Sequence, residues 1–478
     1  MQTHNGGCSK KAVVFGAGKM ACALLGELLY KAGFETFFVA RNRNIASINQ
    51  QKGYFVGLAG GEAHWMRVRD CAAFAIAEPD VIVEKVAAAD IVFTAVGIDN
   101  IPAIAPLIAE GLSRRLDRAG PPLNVIAAEN LPGTGAYLRH QIVGAASLEK
   151  ALLLKKYIGF SAALTHRIMT GGGLIDGILH FSVDAPGDMI IDRHGLIEPL
   201  PEIPHTIVSD EFDALFLEKL ATTNLAQAVA SYMGHRENCR FVHEAAAHRK
   251  IAPVVQAAMN EASAAFQVDF PNLAAMVAHD AKKAVTRIAD PSLADPVERI
   301  CRDPLRKLGA RERLIGPARM AVKHGLPHEH LVQAIAAALT YYNERDVQSK
   351  ILQYIIADEG LDYVLTAVSG LLPHEPLAQE IKVAWAALLQ EKASTPLQLN
   401  RKHFVERMVD ELATEIAAEM ENIDVALHMR EIADEFSSAR ITAFLPSLVR
   451  KRFHDRLGRR SHLQPAPQRP NGRHAQAG

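Results

Sequence analysis

Ala12-Val13-Val14-Phe15-Gly16-Ala17-Gly18 decides how this chain is read. Four apolar residues make a short buried strand, and the Gly-x-Gly directly after them opens a helical pattern running from about Met20 to Ala32. Strand, glycine turn and helix in that order are what dinucleotide binding needs. The glycines permit a tight turn, and a pyrophosphate can approach the helix N-terminus. Gly16, Gly18, Lys19 and Met20 are therefore candidate cofactor-binding residues. The third glycine of the usual spacing is replaced by Ala21, with Gly26 further along. The plainer alternative is an ordinary glycine-rich turn, against which the flanking strand and helix weigh.

Outward from this stretch, short β-branched runs continue to alternate with helical ones. Strands are expected at about Thr36 to Val39, Asp90 to Val96 and Leu123 to Ala128. This alternation predicts parallel strands joined by crossover helices, an α/β Rossmann domain over residues 1–198. Residues 51 to 80, with several glycines and Cys71, read as an inserted hairpin or irregular segment. Ligands of such sheets bind at the carboxyl ends of the strands, which makes Thr94, Val96, Gly97 and Asn130 candidates. An acidic residue past the second strand would bond the ribose 2′-hydroxyl of NAD, but Ala40 is followed here by Arg41 and Arg43. Two cations suit a 2′-phosphate, so NADP is favoured over NAD. Solvated loop charges are the alternative.

From about Leu200 the strand-like runs disappear and Ala, Leu, Glu, Lys and Arg recur at helical spacing. A mainly α-helical substrate domain is expected over 199–394. A small helical appendage, a possible dimerisation module, is expected over 395–460, and a disordered Pro- and Gly-containing tail over 461–478. The 478 residues carry 52 basic and 53 acidic side chains. That balance removes the electrostatic case for nucleic-acid or anionic-membrane binding by the protein as a whole. The basic run Arg450 to Arg460 is read as a helix C-terminus whose cations suit the dipole. Five scattered cysteines without a Cys-x-x-Cys pair indicate neither a disulfide framework nor zinc, and with no long apolar run they fit a cytoplasmic protein.

The helix around Lys219 brings the chemistry. Lys219, Asn224 and Gln227 share one broad side of an otherwise apolar segment at about 100° per residue. Burial lowers an ammonium pKa, a neutral amine can take a proton from an alcohol, and Asn130 and Asn224 can hold the developing alkoxide. The commoner fate of a helical lysine is to snorkel to solvent.

These segments, together with Asp303-Pro304-Leu305-Arg306-Lys307-Leu308, Arg313-Leu314-Ile315 and Gly325-Leu326-Pro327-His328, resemble the mannitol dehydrogenase family of polyol-specific long-chain dehydrogenases. Within it they are most similar to the branch acting on mannitol 1-phosphate, and the resemblance runs over about residues 10 to 390. It implies a Rossmann domain followed by a helical domain, and hydride transfer between a sugar alcohol, or its phosphate, and a ketose. It further implies that Lys219 is the general base and that Asn130 and Asn224 orient the substrate oxygen. Arg306 and Lys307 would then hold a substrate phosphate. Three positions depart from the family pattern. Gln227 stands where a His is expected, His166 where an Asp precedes Arg167-Ile168, and Ala40 where NAD-using relatives carry Asp. Glutamine can still hydrogen-bond a hydroxyl, but it cannot titrate near neutral pH. The departures leave two alternatives: a dehydrogenase for another substrate such as a hexuronate or sugar conjugate, or a catalytically silent NADP-binding assembly protein. His328 and His330 lack a ligand spacing, so no metal is expected.

Overall fold

The computed structural model describes residues 10–391, apart from 42–43, 59–64, 132 and 185–187. The expected appendage over 395–460, the expected tail over 461–478 and Arg43 lie outside the described residues. The chain divides into two compact units, Met1–Ile300 and Cys301–Gly478.

Among the described residues twelve strands lie in the first unit: β1 (Lys10–Phe15), β2 (Phe34–Ala40), β3 (Tyr54–Leu58), β4 (Met66–Val68), β5 (Cys71–Ala75), β6 (Ile91–Thr94), β7 (Leu123–Ala127), β8 (Ile158–Thr165), β9 (Met169–Ile175), β10 (Ile178–Val183), β11 (Met189–Asp192) and β12 (Thr206–Ser209). Eight of them form one sheet in the order β12-β11-β8-β7-β6-β1-β2-β5, parallel throughout except between β11 and β8. A parallel sheet covered on both faces needs apolar residues pointing both ways. β1 supplies them: Ala12 and Val14 enter a core with Leu24, Leu28 and Phe38, while Val13 and Phe15 enter another with Ile82, Ile104 and Ile108.

Two expectations need correction. Within residues 51 to 80, β3 and β4 do form a hairpin, and they belong to a second sheet of order β4-β3-β10-β9. Cys71–Ala75, however, is no part of that insert. It pairs in parallel with Thr36–Ala40 and edges the main sheet. Strands also continue past Leu200, because Thr206–Ser209 pairs in parallel with Met189–Asp192 at the other edge. Both are edge strands of only five and four residues, too short for periodicity to single them out.

Helices dominate after Ser209. Phe212 and Phe216 of helix Phe212–Lys219 pack with Leu220 against Ala162 and Leu164 of β8, so this helix joins the sheet's own core. A π-helical turn, Leu220–Asn224, links it to helix Leu225–Arg236, and helices Ala252–Asp269 and Ala274–Ile288 follow. The second unit is built from helices Ile315–Lys323, Glu329–Leu339, Val347–Asp358, Leu361–Ala367 and Pro376–Glu391. Leu331, Ile335, Leu352, Ile355, Leu365 and Ile381 are fully buried in it.

Candidate active site

Because β2, β1, β6, β7 and β8 run parallel, their carboxyl ends emerge along one edge of the sheet. At the first of these ends Gly16 has φ +115°, and a Cβ there would lie 2.5 Å from the Ala95 carbonyl oxygen. Only glycine takes this turn without strain, since L side chains rarely adopt that φ. The Gly16 amide donates to Val39 O at 2.7 Å, which draws the turn against the end of β2. Gly18 differs: a Cβ there would meet nothing within 4 Å, so the space beside it is open. Its carbonyl accepts from Cys22 N at 2.9 Å and starts the helix, leaving the amides of Lys19 and Met20 at an exposed helix N-terminus. That open cradle with a positive dipole end fits a pyrophosphate. Lys19 is exposed, with its pKa lowered by partial burial and by the charge of Arg299, while Met20 packs on the core.

A run of side-chain bonds follows the same edge. Arg41 donates to Asn100 Oδ1, and Asn100 Nδ2 donates to Val96 O at 2.8 Å. The Val96 amide donates to Glu129 Oε1 at 3.3 Å, and the Thr94 hydroxyl to Glu129 Oε2 at 3.0 Å. Gly97 turns the chain with φ +86°. Burial pushes the Glu129 carboxyl up to about 7, against the lowering effect of those two donors. Asn44 Nδ2 donates to Ala17 O at 2.5 Å, so the segment after β2 touches the glycine turn.

The end of β8 is tied from three sides. Lys219 Nζ donates to Thr165 O at 2.6 Å, Asn130 Oδ1 accepts from Thr165 N at 3.4 Å, and Arg287 donates to His166 O at 2.7 Å. Lys219 is 5% exposed, which answers the snorkelling alternative: its side-chain nitrogen points inward. Asn130 adopts φ +62°, a conformation asparagine tolerates better than most residues. Asn224 and Gln227 are half-buried on the continuing helix. In a regular α-helix Lys219 and Asn224, five apart, would be about 140° apart around the axis. The π turn over Leu220–Asn224, bonded i to i+5, closes that angle and brings them towards one side.

Three further residues belong to this neighbourhood; two escape the sequence reading as site residues, and His166 enters it only as a departure from the family pattern. Glu129 is one; its signal is a carboxylate following five buried residues, Leu123–Ala127. The others are Glu218, wholly buried beside Lys219, and His166, whose Nε2 stands 3.5 Å from Glu218 Oε2. Burial raises Glu218 to about 8 and depresses His166 to about 3, the latter helped by the charges of Lys219, Arg287 and Lys283.

Arg306 and Lys307 lie in the second unit, on the short helix Pro304–Lys307. Arg306 stands 3.4 Å from Glu312 and 3.7 Å from Asp303, with about a third of its side chain exposed. Lys307 is 5% exposed, donates to Arg302 O, and is brought down to about 7 by burial and by Arg313 and Arg306. Among the described residues no group of three His, Cys, Asp or Glu could hold a metal ion, and no helix is long and apolar enough to cross a membrane.

A Rossmann sheet with a glycine cradle, an inward lysine at its carboxyl edge and a helical region following it defines a dinucleotide-dependent oxidoreductase. Residues 10–201 match the mannitol dehydrogenase Rossmann domain and residues 212–434 the mannitol dehydrogenase C-terminal domain. The chain is 31% identical over 389 residues to a mannitol-1-phosphate 5-dehydrogenase of Oceanobacillus iheyensis, covering 80% of this chain and 100% of that protein. Its fold is similar to that of Pseudomonas fluorescens mannitol 2-dehydrogenase, solved as a ternary complex with NAD and D-mannitol. The TM-score there is 0.65 at 16% identity, over 83% of this chain and 94% of that one. It is also similar to a D-sorbitol dehydrogenase solved substrate-free, with a TM-score of 0.61 at 15% identity, over 80% and 93%. The chain belongs to the mannitol dehydrogenase family, and is an NAD(P)-dependent dehydrogenase acting on a CH–OH group.

Proposed function

We propose that the protein interconverts a sugar alcohol phosphate and a ketose phosphate, most simply mannitol 1-phosphate and fructose 6-phosphate, with Lys219 as general base. The observation that carries this reading is the buried Lys219 side-chain nitrogen held at the Thr165 carbonyl, on the sheet edge where Asn130 also stands. The 31% identity to a protein described as a mannitol-1-phosphate 5-dehydrogenase supports the substrate class.

When bound, the nicotinamide cofactor supplies the hydride acceptor for the alcohol, or the hydride donor for the ketose. Gly16, Gly18 and the amides of Lys19 and Met20 bind its pyrophosphate, and Thr94, Val96 and Gly97 line its further course along the edge. Arg41 and Arg43 receive a 2′-phosphate, so the preference is for NADP; support comes from the absence of a carboxylate at Ala40 and from the tethering of Arg41 through Asn100. Lys219 takes the hydroxyl proton as an amine and returns it as an ammonium in the reverse direction. Asn130 and Asn224 donate to the oxygen that carries developing charge, and Gln227 bonds a neighbouring hydroxyl. Arg306 and Lys307 hold the phosphate, which would replace Asp303 and Glu312 as partner of the Arg306 guanidinium.

The existing ion pairs of Arg306 favour a second reading, in which the substrate is an unphosphorylated polyol. Oxidation of NADPH, with NADH in parallel, on adding fructose 6-phosphate or fructose decides between them. Faster turnover of the phosphate supports the first reading and faster turnover of the free ketose the second, while no turnover of either overturns both. We further assign the protein to the cytoplasm, on its cysteine usage and lack of a long apolar run, and residues 395–460 to a homodimer contact, because so short a helical segment would bury little core alone.

A further inference from the structure

Glu218 is a fully buried acid next in sequence to Lys219, and its two oxygens are treated differently. Oε1 accepts from the Thr222 hydroxyl at 2.9 Å, whereas Oε2 is buried without a hydrogen-bond partner among the described residues. The group facing Oε2 is the imidazole of His166, with Nε2 at 3.5 Å. His166 in turn follows Thr165, whose carbonyl accepts from Lys219 Nζ, and its own carbonyl is fixed by Arg287. The two members of the pair are therefore each one residue away from an end of the Lys219–Thr165 hydrogen bond. The His166 side chain retains 29% exposure, so the pair leads from the buried lysine towards solvent.

We propose that Glu218 and His166 form a proton-sharing pair that sets the protonation state of Lys219, making both positioning residues of the dehydrogenase reaction. This rests on the reading of Lys219 as general base. The charged groups that act on the pair are Lys219 itself and Asp280, Lys283 and Arg287 of helix Ala274–Ile288, the last ion-paired with Asp184. Helix Ala252–Asp269, packed alongside the π turn, contributes the buried Glu261.

The chemistry follows from burial. A carboxyl and an amine in a low-dielectric site are more stable as the neutral pair than as an ion pair unless further donors hold the carboxylate. Glu218 Oε2 has none, so the proton resides on the carboxyl, with the neutral imidazole Nε2 as its acceptor, and Lys219 is left as the amine. The high position of the Glu218 titration, set by burial, agrees with that arrangement. When Lys219 takes a proton from the alcohol, Glu218 releases its own through His166, and the resulting carboxylate stabilises the new ammonium. No proton is created or lost: one enters from the substrate and one leaves to solvent.

The test is the pH profile of kcat/KM for alcohol oxidation in Glu218→Gln and His166→Ala. Glu218→Gln removes the carboxylate that stabilises the Lys219 ammonium, so the acid limb moves to lower pH by about one unit. His166→Ala removes the acceptor that favours the neutral carboxyl and admits water, so the carboxylate forms earlier and the limb moves the opposite way. Limbs that stay in place, or that move together, would overturn the proposal, because a merely structural role lowers the whole profile in parallel. A readout independent of turnover is the infrared carboxyl stretch of the free protein between pH 7 and 9. A protonated-acid band that fades over this range in the wild type and is missing from Glu218→Gln is expected; identical spectra contradict it. Lys219→Ala separates the two levels: if it leaves turnover intact the general-base reading fails. If it abolishes turnover while both limbs stay put, only the proton-sharing pair fails.

Discussion

The side-chain nitrogen of Lys219 donates to the Thr165 carbonyl at 2.6 Å and so pins a helix to the end of β8, a strand of the dinucleotide-binding sheet. The contact draws Lys219 inward although a lysine near a helix end ordinarily reaches for water. Around it, Asn130, His166 and Arg287 hold the same turn, so the base and the strand end form one polar knot in an apolar setting. A buried polar network of this kind is stabilising only while its members remain satisfied.

Gly16→Ala tests the cradle. The added methyl would lie 2.5 Å from the Ala95 carbonyl oxygen at a φ of +115°. Strain of about 2 kcal/mol or more is expected, read as a lower melting temperature, with cofactor affinity falling at least tenfold in a fluorescence titration. A Gly18→Ala control should keep its stability, because nothing lies within 4 Å of the new methyl, yet still lose cofactor affinity.

Arg41→Ala tests the 2′-phosphate assignment. Loss of a hydrogen bond to a charged group reduces the NADPH to NADH preference in kcat/KM about tenfold, which corresponds to about 1.4 kcal/mol. An unchanged ratio would return Arg41 to the status of a loop charge tethered by Asn100.

Glu129→Gln tests the buried carboxyl. Its folded pKa of about 7 lies above the ordinary 4.5 of a glutamate carboxyl, so the folded protein binds the extra proton between these values and loses stability as pH rises through them. The neutral variant lacks this penalty. Its stability relative to the wild type should therefore improve between pH 5 and 8, by on the order of 2 kcal/mol in denaturant titrations. The opposite slopes from His166 and Lys307 are common to both proteins and cancel in the difference.

Arg306→Ala should raise KM for a phosphorylated ketose about tenfold and leave the KM of the free ketose unchanged, measured side by side with the same cofactor. Equal effects on both would place Arg306 in a structural ion-pair cluster with Asp303 and Glu312.

Much of this arrangement is legible in the sequence. The strand Ala12 to Phe15 and its glycines announce the sheet because a strand buried on both faces must be apolar at every position. Edge strands β5 and β12 are not announced, since half-solvated edges carry no such constraint. Lys219, Asn224 and Gln227 can be found by helical spacing, but not the π turn that aligns the first two, because a change from i+4 to i+5 bonding leaves the residue pattern unaltered. Glu218 and His166 illustrate a different limit. Glu218 reads as an ordinary polar residue and His166 only as a departure from the family pattern until the fold sets them 3.5 Å apart across 51 intervening positions.

The most direct measurement is single-turnover reduction of fructose 6-phosphate by Lys219→Ala alongside the wild type, with NADPH affinity determined for both. The account predicts a rate lower by a factor of about 10² to 10⁴ with cofactor affinity within threefold of the wild type. A variant that binds NADPH and still turns over within tenfold of the wild-type rate would contradict Lys219 as the general base.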